Sequence, residues 1–346
     1  YSGEISNLLQ NTTEDGTIDT NKIPLQDLDL RFGNTCNLKC RSCGPQDSNL
    51  WYEDYFKLNK GSEEKKLNLW FYGETKYKLI ETQKGVDINT DRFVWLDTSL
   101  FYNDILDSMP NVKTIYFTGG EPTVIKKHKQ LLEYCIEKGF AKNIILDYNT
   151  NLHATPTYLS KYWIKFRHVN IGASIDAHGD TQAYMRPPST WEGIKNNLIK
   201  LNDLKCKHIE VRLSPTFSIM NIANMTKLAD WLIDQNFEYI KNVMGNHTLY
   251  YPEEYSVQVL PLDVKLQIKK NYEYWLQNLK DTDNHKLYKH YKECFAPVIK
   301  FMLEKDKSNL LKEFIRKTEK LDKIRNEDWK TGLSDLYNIL KEHGYV

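Results

Sequence analysis

The sequence predicts an α/β protein built on a partial (β/α)6 barrel. Three observations predict it. Six short, apolar, β-branched runs recur between residues 28 and 244, helical patterns lie between them, and several runs end in Gly, Asn, Ser or Thr. Repetition of strand, helix, strand implies a parallel sheet with right-handed crossovers. Six units suit an incomplete barrel, whose active site lies at the C-terminal ends of the strands.

Taken in order, residues 1–23 are polar and rich in Asn, Thr, Asp and Gly, and read as an N-terminal arm. The β-like runs are 28–32, 112–117, 143–148, 168–174, 208–213 and 239–244. Helical spacing appears at 126–138, where Leu131, Leu132 and Cys135 share a face, and again at 191–203 and 221–234. Residues 47–107 are too many for one crossover, so they read as the first helix plus an insertion. Its Trp51, Tyr52, Trp70, Phe71, Tyr72 and Trp95 are expected to form a local packing cluster. After residue 245 the pattern changes. Runs 247–251 and 255–260 around Pro252 predict a β-hairpin, and helices are expected at 262–279, 286–303, 309–320 and 329–343. The expected division is an arm (1–23), a barrel core with its insertion (24–244) and a mostly helical C-terminal extension (245–346).

The chain has 346 residues, 40% hydrophobic and 27% charged, enough for a sizeable core. Lys+Arg number 47 and Asp+Glu 46, so no bulk charge draws the protein to nucleic acid or to an anionic membrane, and neither is expected as a partner. No apolar run is long enough to span a bilayer. Tyr1-Ser-Gly-Glu carries no basic and apolar leader pattern, so it does not read as a signal peptide. Of six cysteines, three crowd into eight residues, which favours metal ligation in a reducing compartment and a cytoplasmic location. Nucleophile-elbow, phosphate-loop and His-Glu-x-x-His patterns are absent from the sequence.

The chemistry-bearing stretch follows the first predicted strand: Gly33-Asn34-Thr35-Cys36-Asn37-Leu38-Lys39-Cys40-Arg41-Ser42-Cys43. Thiolates are the usual ligands of iron–sulfur clusters, and a loop this short can wrap three of them around one cluster. Three ligands leave one iron open, as chemistry requires. Structural zinc would want a fourth Cys or His at matching spacing. A second signal, Gly119-Gly120-Glu121-Pro122, ends the second predicted strand. Its glycines let the backbone approach a ligand, and Glu121 can accept from an ammonium group. By itself this segment could equally be a strand-to-helix turn.

Cysteines spaced C-x3-C-x2-C after a first strand, with Gly-Gly-Glu-Pro after a second, resemble the radical S-adenosylmethionine (SAM) superfamily over about residues 28–244. The resemblance implies a radical SAM-type barrel with two cofactors, a [4Fe–4S] cluster and SAM. It implies that Cys36, Cys40 and Cys43 hold the cluster and that Gly119, Gly120 and Glu121 receive the SAM amino group. In that family SAM chelates the open iron, and reduction by an external donor such as flavodoxin or ferredoxin cleaves it. The 5′-deoxyadenosyl radical so formed abstracts hydrogen from a substrate. By the same resemblance, Asn149 and Asn151 sit where polar SAM or substrate contacts occur, or form an Asn-rich turn. Ser174 matches a ribose-binding serine, with Asp176 as the acidic residue beside it or a cap of the next turn. Arg212 resembles a partner of the SAM carboxylate, and Arg186 an Arg that related enzymes carry after the fourth strand, there a contact with the SAM cofactor, or else a surface ion pair. The residue before the third cysteine, commonly aromatic in the family, is Ser42 here.

The predicted hairpin and helices of the extension resemble the twitch-type tail of peptide-modifying members, without auxiliary-cluster cysteines. Cys135, Cys206 and Cys294 read as structural thiols, with Cys294 a candidate hydrogen donor to a substrate radical. The leading expectation is hydrogen abstraction from a peptide or protein side chain. Alternatives are a radical SAM enzyme acting on a small metabolite or nucleotide, a glycyl-radical activating enzyme, and a non-catalytic iron–sulfur or zinc module.

Overall fold

The computed structural model describes residues 9–18, 23–59, 66–67, 77–89, 96, 98–99, 101–153, 156–282 and 284–346. Six strands pair in parallel and nearly in chain order: β1 (Asp27–Arg31), β5 (Thr114–Thr118), β6 (Ile145–Thr150), β7 (His168–Ala173), β8 (Ile209–Leu213) and β10 (Ile240–Met244). All six expected runs are strands, within one or two residues of their predicted bounds. Between them lie helices Lys126–Glu137, Pro156–Trp163, Trp191–Asp203 and Met225–Asp234. A sheet that opens and closes on different strands, with helices in the crossovers, is a partial (β/α)6 barrel.

Alternation along each strand separates two faces. Leu30, Phe117, Tyr148, Ile171 and Val211 point outward and are buried beneath the helices. Each such side chain contributes about 1.5–3 kcal/mol by leaving water. The intervening residues form a polar row on the other, concave face, in the register Asp29–Tyr116–Asp147–Asn170–Glu210. The row is cross-linked: Asn149 donates to the Tyr116 hydroxyl at 2.6 Å, and Asn170 donates to Asp147 at 2.6 Å. Local sequence sets the helix starts. Thr190 accepts from Gly193 N, and Asn284 accepts from Leu287 N.

The insertion opens with helix Tyr52–Leu58 and continues as a small antiparallel sheet of β2 (Lys66–Leu67), β3 (Tyr77–Thr82) and β4 (Gly85–Asn89). Trp51 and Tyr52 are buried, whereas Trp70, Phe71, Tyr72 and Trp95 lie outside the described residues. Beyond the barrel, helices Leu262–Lys280 and His285–Glu304 match expectation within one residue, and Leu311–Arg325 runs five residues past its expected end. The last predicted helix is divided into Trp329–Gly332 and Ser334–Glu342.

The predicted hairpin does not form. The short β11 (His247–Thr248) pairs in parallel with β9 (Thr216–Phe217), and residues 253–255 and 257–259 are single 3-10 turns. Ser256 caps the second turn by accepting from Gln258 N. Ser256, Val257, Gln258, Val259 and Leu260 are all buried, without the alternation a two-faced hairpin requires. The twitch-type comparison loses its hairpin and keeps only the following helix, Leu262–Lys280.

Candidate active site

Where β1 ends, the chain enters an irregular loop that carries all three clustered cysteines. Side chains hold this loop where backbone pairing does not. Asn49 accepts from Cys36 N at 2.9 Å, and Ser48 donates to the Leu38 carbonyl at 2.6 Å. Trp51 Nε1 donates to the Cys40 carbonyl at 2.8 Å. Asn34 donates to the Pro45 carbonyl and to the Tyr52 hydroxyl. The loop also pairs with a distant segment: Lys39 N donates to Pro187 O and Arg41 N to Met185 O, each at 2.8 Å.

Gly119 and Gly120 press against the same loop from the end of β5. Both have positive φ, and a Cβ on Gly120 would collide with the Thr35 carbonyl. Glu121 N donates to that carbonyl at 2.9 Å, so the two motifs are joined backbone to backbone.

The Glu121 carboxylate is 1% exposed and accepts from Thr123 N, Thr123 Oγ1, Thr150 Oγ1 and Asn151 N. Burial pushes its pKa up, against the lowering effect of those bonds. Three of these bonds fall on Oε1 and one, from Asn151 N, on Oε2, so Oε2 keeps one acceptor position open. In this structure Glu121 is a strut of the turn.

The thiols share one electrostatic neighbourhood. Burial, opposed in part by Leu38 N and reinforced by the charge of Cys40, pushes the Cys36 thiol up to about 11. A hydrogen bond from the Cys43 thiol lowers Cys40 and raises Cys43. Asn151 Nδ2 lies 3.9 Å from Cys36 Sγ, and Arg186 Nη1 lies 3.6 Å from Cys40 Sγ. Among the described residues, no three Cys, His, Asp or Glu side chains converge on a point as one metal ion would require. Zinc would draw its thiolates to about 2.3 Å from a common centre. Three free thiols on one short loop suit the cysteine ligands of an iron–sulfur cluster.

Behind the loop is a buried charge network that the sequence reading missed. Arg41, 2% exposed, stands between Cys40 and Cys43 and pairs with Asp322 and Glu327. Its guanidinium lies 3.6 Å from the centroid of the Tyr184 ring, and Tyr184 donates its hydroxyl to Asp322. Nearby, Arg325 pairs with Asp54 at 2.8 Å and covers the Trp51 ring. The C-terminal helices thus form the rear wall of the cysteine loop. An Arg between two candidate ligands was the only clue; its partners lie 281 and 286 positions away.

The structure brings some of the other expected residues together and separates others. Asn151 reaches the loop, donating to Asn37 at 2.8 Å, whereas Asn149 lies on the concave face against Tyr116. Ser174 follows β7 and is half-buried. Asp176, 1% exposed, pairs with Arg186 at 2.6 Å, so Arg186 makes a buried ion pair. Arg212 projects from the concave face, exposed, without a hydrogen-bond or ion-pair partner among the described residues. It is in register with Gly172, where a Cβ would meet Asn149 Oδ1 at 2.7 Å. Cys294 is buried with its sulfur 3.4 Å from the Gly245 carbonyl, and burial pushes its thiol up to about 12.

No model of a known protein family matches the chain, and no curated protein matches it. Among solved structures, it is similar to a polyhistidine-tagged anSMEcpe with bound AdoMet at 16% identity, TM-score 0.44, over 75% of this chain and 58% of that one. It is similar to native anSMEcpe with AdoMet and Cp18Cys peptide at 15% identity, TM-score 0.44, over 75% and 62%. Similarity to Streptococcus suis SuiB bound to S-adenosylmethionine is 12% identity, TM-score 0.43, over 80% and 52%. The chain therefore spans less than two thirds of each of these proteins. Likeness of that degree carries no weight for function, which rests on the residues above.

Proposed function

We propose that this chain is a radical SAM enzyme that abstracts hydrogen from a peptide or protein side chain. One juxtaposition carries the reading: the loop of Cys36, Cys40 and Cys43 leaves β1 and is bonded directly to Gly119–Glu121 at the end of neighbouring β5. Cys36, Cys40 and Cys43 would hold a [4Fe–4S] cluster, which would supply the electron for SAM cleavage given an external donor of the flavodoxin or ferredoxin type.

The chain's own residues then have distinct tasks. The Gly119–Gly120 turn, fixed by Glu121, offers close backbone approach to the amino group of SAM. Arg212, with no partner among the described residues to give up, is free to take the SAM carboxylate. Asn149 and Ser174 stand at the same end of the sheet for ribose or substrate. Leu38, Trp51 and the buried Glu121 exclude water around the loop. The polar concave row presents donors and acceptors of both charges, which suits the amides and side chains of a peptide.

Anaerobic reconstitution with iron and sulfide, followed by dithionite and SAM, tests the reading. The expected product is 5′-deoxyadenosine, absent in Cys40→Ala. A well-formed four-iron cluster that cleaves no SAM, alone or with candidate peptides, would reject it. Turnover of a small metabolite without peptide would move the substrate to that class.

A further inference from the structure

We propose that Arg186 tunes the reduction potential of the cluster through Cys40, with Asp176 as the residue that aims it; this rests on the cluster reading above. Backbone geometry places it there. Lys39 and Arg41 donate their amides to Pro187 and Met185, so residues 39–41 and 185–187 lie side by side, with position 186 opposite Cys40. The side chain follows: Arg186 Nη1 reaches Cys40 Sγ at 3.6 Å while Nε binds Asp176 Oδ2 at 2.6 Å. Asp176 cannot easily swing, because Oδ1 accepts from Thr216 N at 2.8 Å and its own amide donates to Gln182. The carboxylate therefore sits on the far side of the guanidinium, and the positive end of the pair faces the sulfur.

The pair is buried, with side-chain exposures of 12% for Arg186 and 1% for Asp176, so solvent screens it little. Reduction adds one negative charge to a cluster held by three thiolates. A cation that donates N–H to a ligating sulfur stabilises that reduced state and raises the potential. This differs from the role that the resemblance suggested, a contact with SAM. It also accounts for a buried ion pair that does not join the rear charge network around Arg41.

The test uses the full chain, reconstituted anaerobically, with no SAM present. Iron and sulfide are counted per chain, and the cluster is titrated against potential while its EPR signal is followed. Arg186→Gln is expected to load the same iron as the parent and to shift the midpoint negative. The shift expected is at least tenfold in the reduction equilibrium, or about 59 mV for one electron. Arg186→Lys keeps the charge without the fork that spans Asp176 and Cys40, and should fall between. An unchanged midpoint at full iron loading overturns the proposal. A second measurement needs no variant: in protein labelled with guanidino-15N arginine, the reduced cluster should show a hyperfine coupling to 15N, and its absence overturns the proposal too. Failure of the parent to form a four-iron cluster would instead reject the cluster reading, and this proposal with it.

Discussion

The two faces of the barrel sheet are made by the same strands yet hold opposite kinds of residue. On the outer face Phe117 stacks on Tyr148, with ring centroids 5.1 Å apart, and His128 closes the cluster by bonding to the Tyr148 hydroxyl at 2.8 Å. On the concave face, the adjacent Tyr116 and Asn149 bond to each other beside an exposed Arg212. The outer face devotes its residues to cohesion. The concave face keeps polar groups that contribute little to cohesion, and it retains them at the end of the sheet where the cysteine loop lies.

Substitutions can break this contrast. Phe117→Ala should cost about 3–5 kcal/mol, since it empties a fully buried ring site; urea unfolding by circular dichroism measures it. The next effect depends on pH. Burial pushes His128 down from 6.5 to about 3, so the unfolded chain binds the extra proton between those values. Stability from this residue is fully present above pH 6.5 and is lost as pH falls toward about 3, by about 1.4 kcal/mol per unit. The difference in stability between His128→Phe and the parent should therefore shrink on acidification across that window; a constant difference from about pH 7 to about pH 4 would contradict the assignment.

Tyr116→Phe should cost only about 0.5–1.5 kcal/mol, one hydrogen bond on an open face, by the same unfolding measurement. Arg212→Ala should change stability least, by no more than about 0.5 kcal/mol, because it has no partner among the described residues to lose. Its effect should appear in calorimetric titration with SAM, as at least tenfold weaker binding. An Arg212→Ala protein that binds SAM normally would remove this residue from the site.

The sheet was readable because short apolar, β-branched runs recur between helical patterns, and the cysteine loop because its three thiols are close neighbours in the chain. Segment 255–260 was misread since a short apolar run has no preferred period; Ser256 capping the turn at Gln258 N decided the outcome. Asp176 and Arg186 were visible as positions but not as a pair. Only the alignment of residues 185–187 beside the cysteine loop shows where Arg186 points. Asp322 and Glu327 gave no signal, because their role exists only once a helix from the far end of the chain lies behind Arg41.

That last arrangement bears on how the protein can be divided. Topology alone would mark the end of the sixth strand as a natural place to cut, leaving a barrel with its cysteines intact. Such a fragment would lose the rear wall of the loop, opening Arg41 to water and removing both of its counter-charges at the one point where the loop must hold its shape. The segment that carries Asp322 and Glu327 thus belongs to the cysteine loop as fully as the residues beside it in sequence.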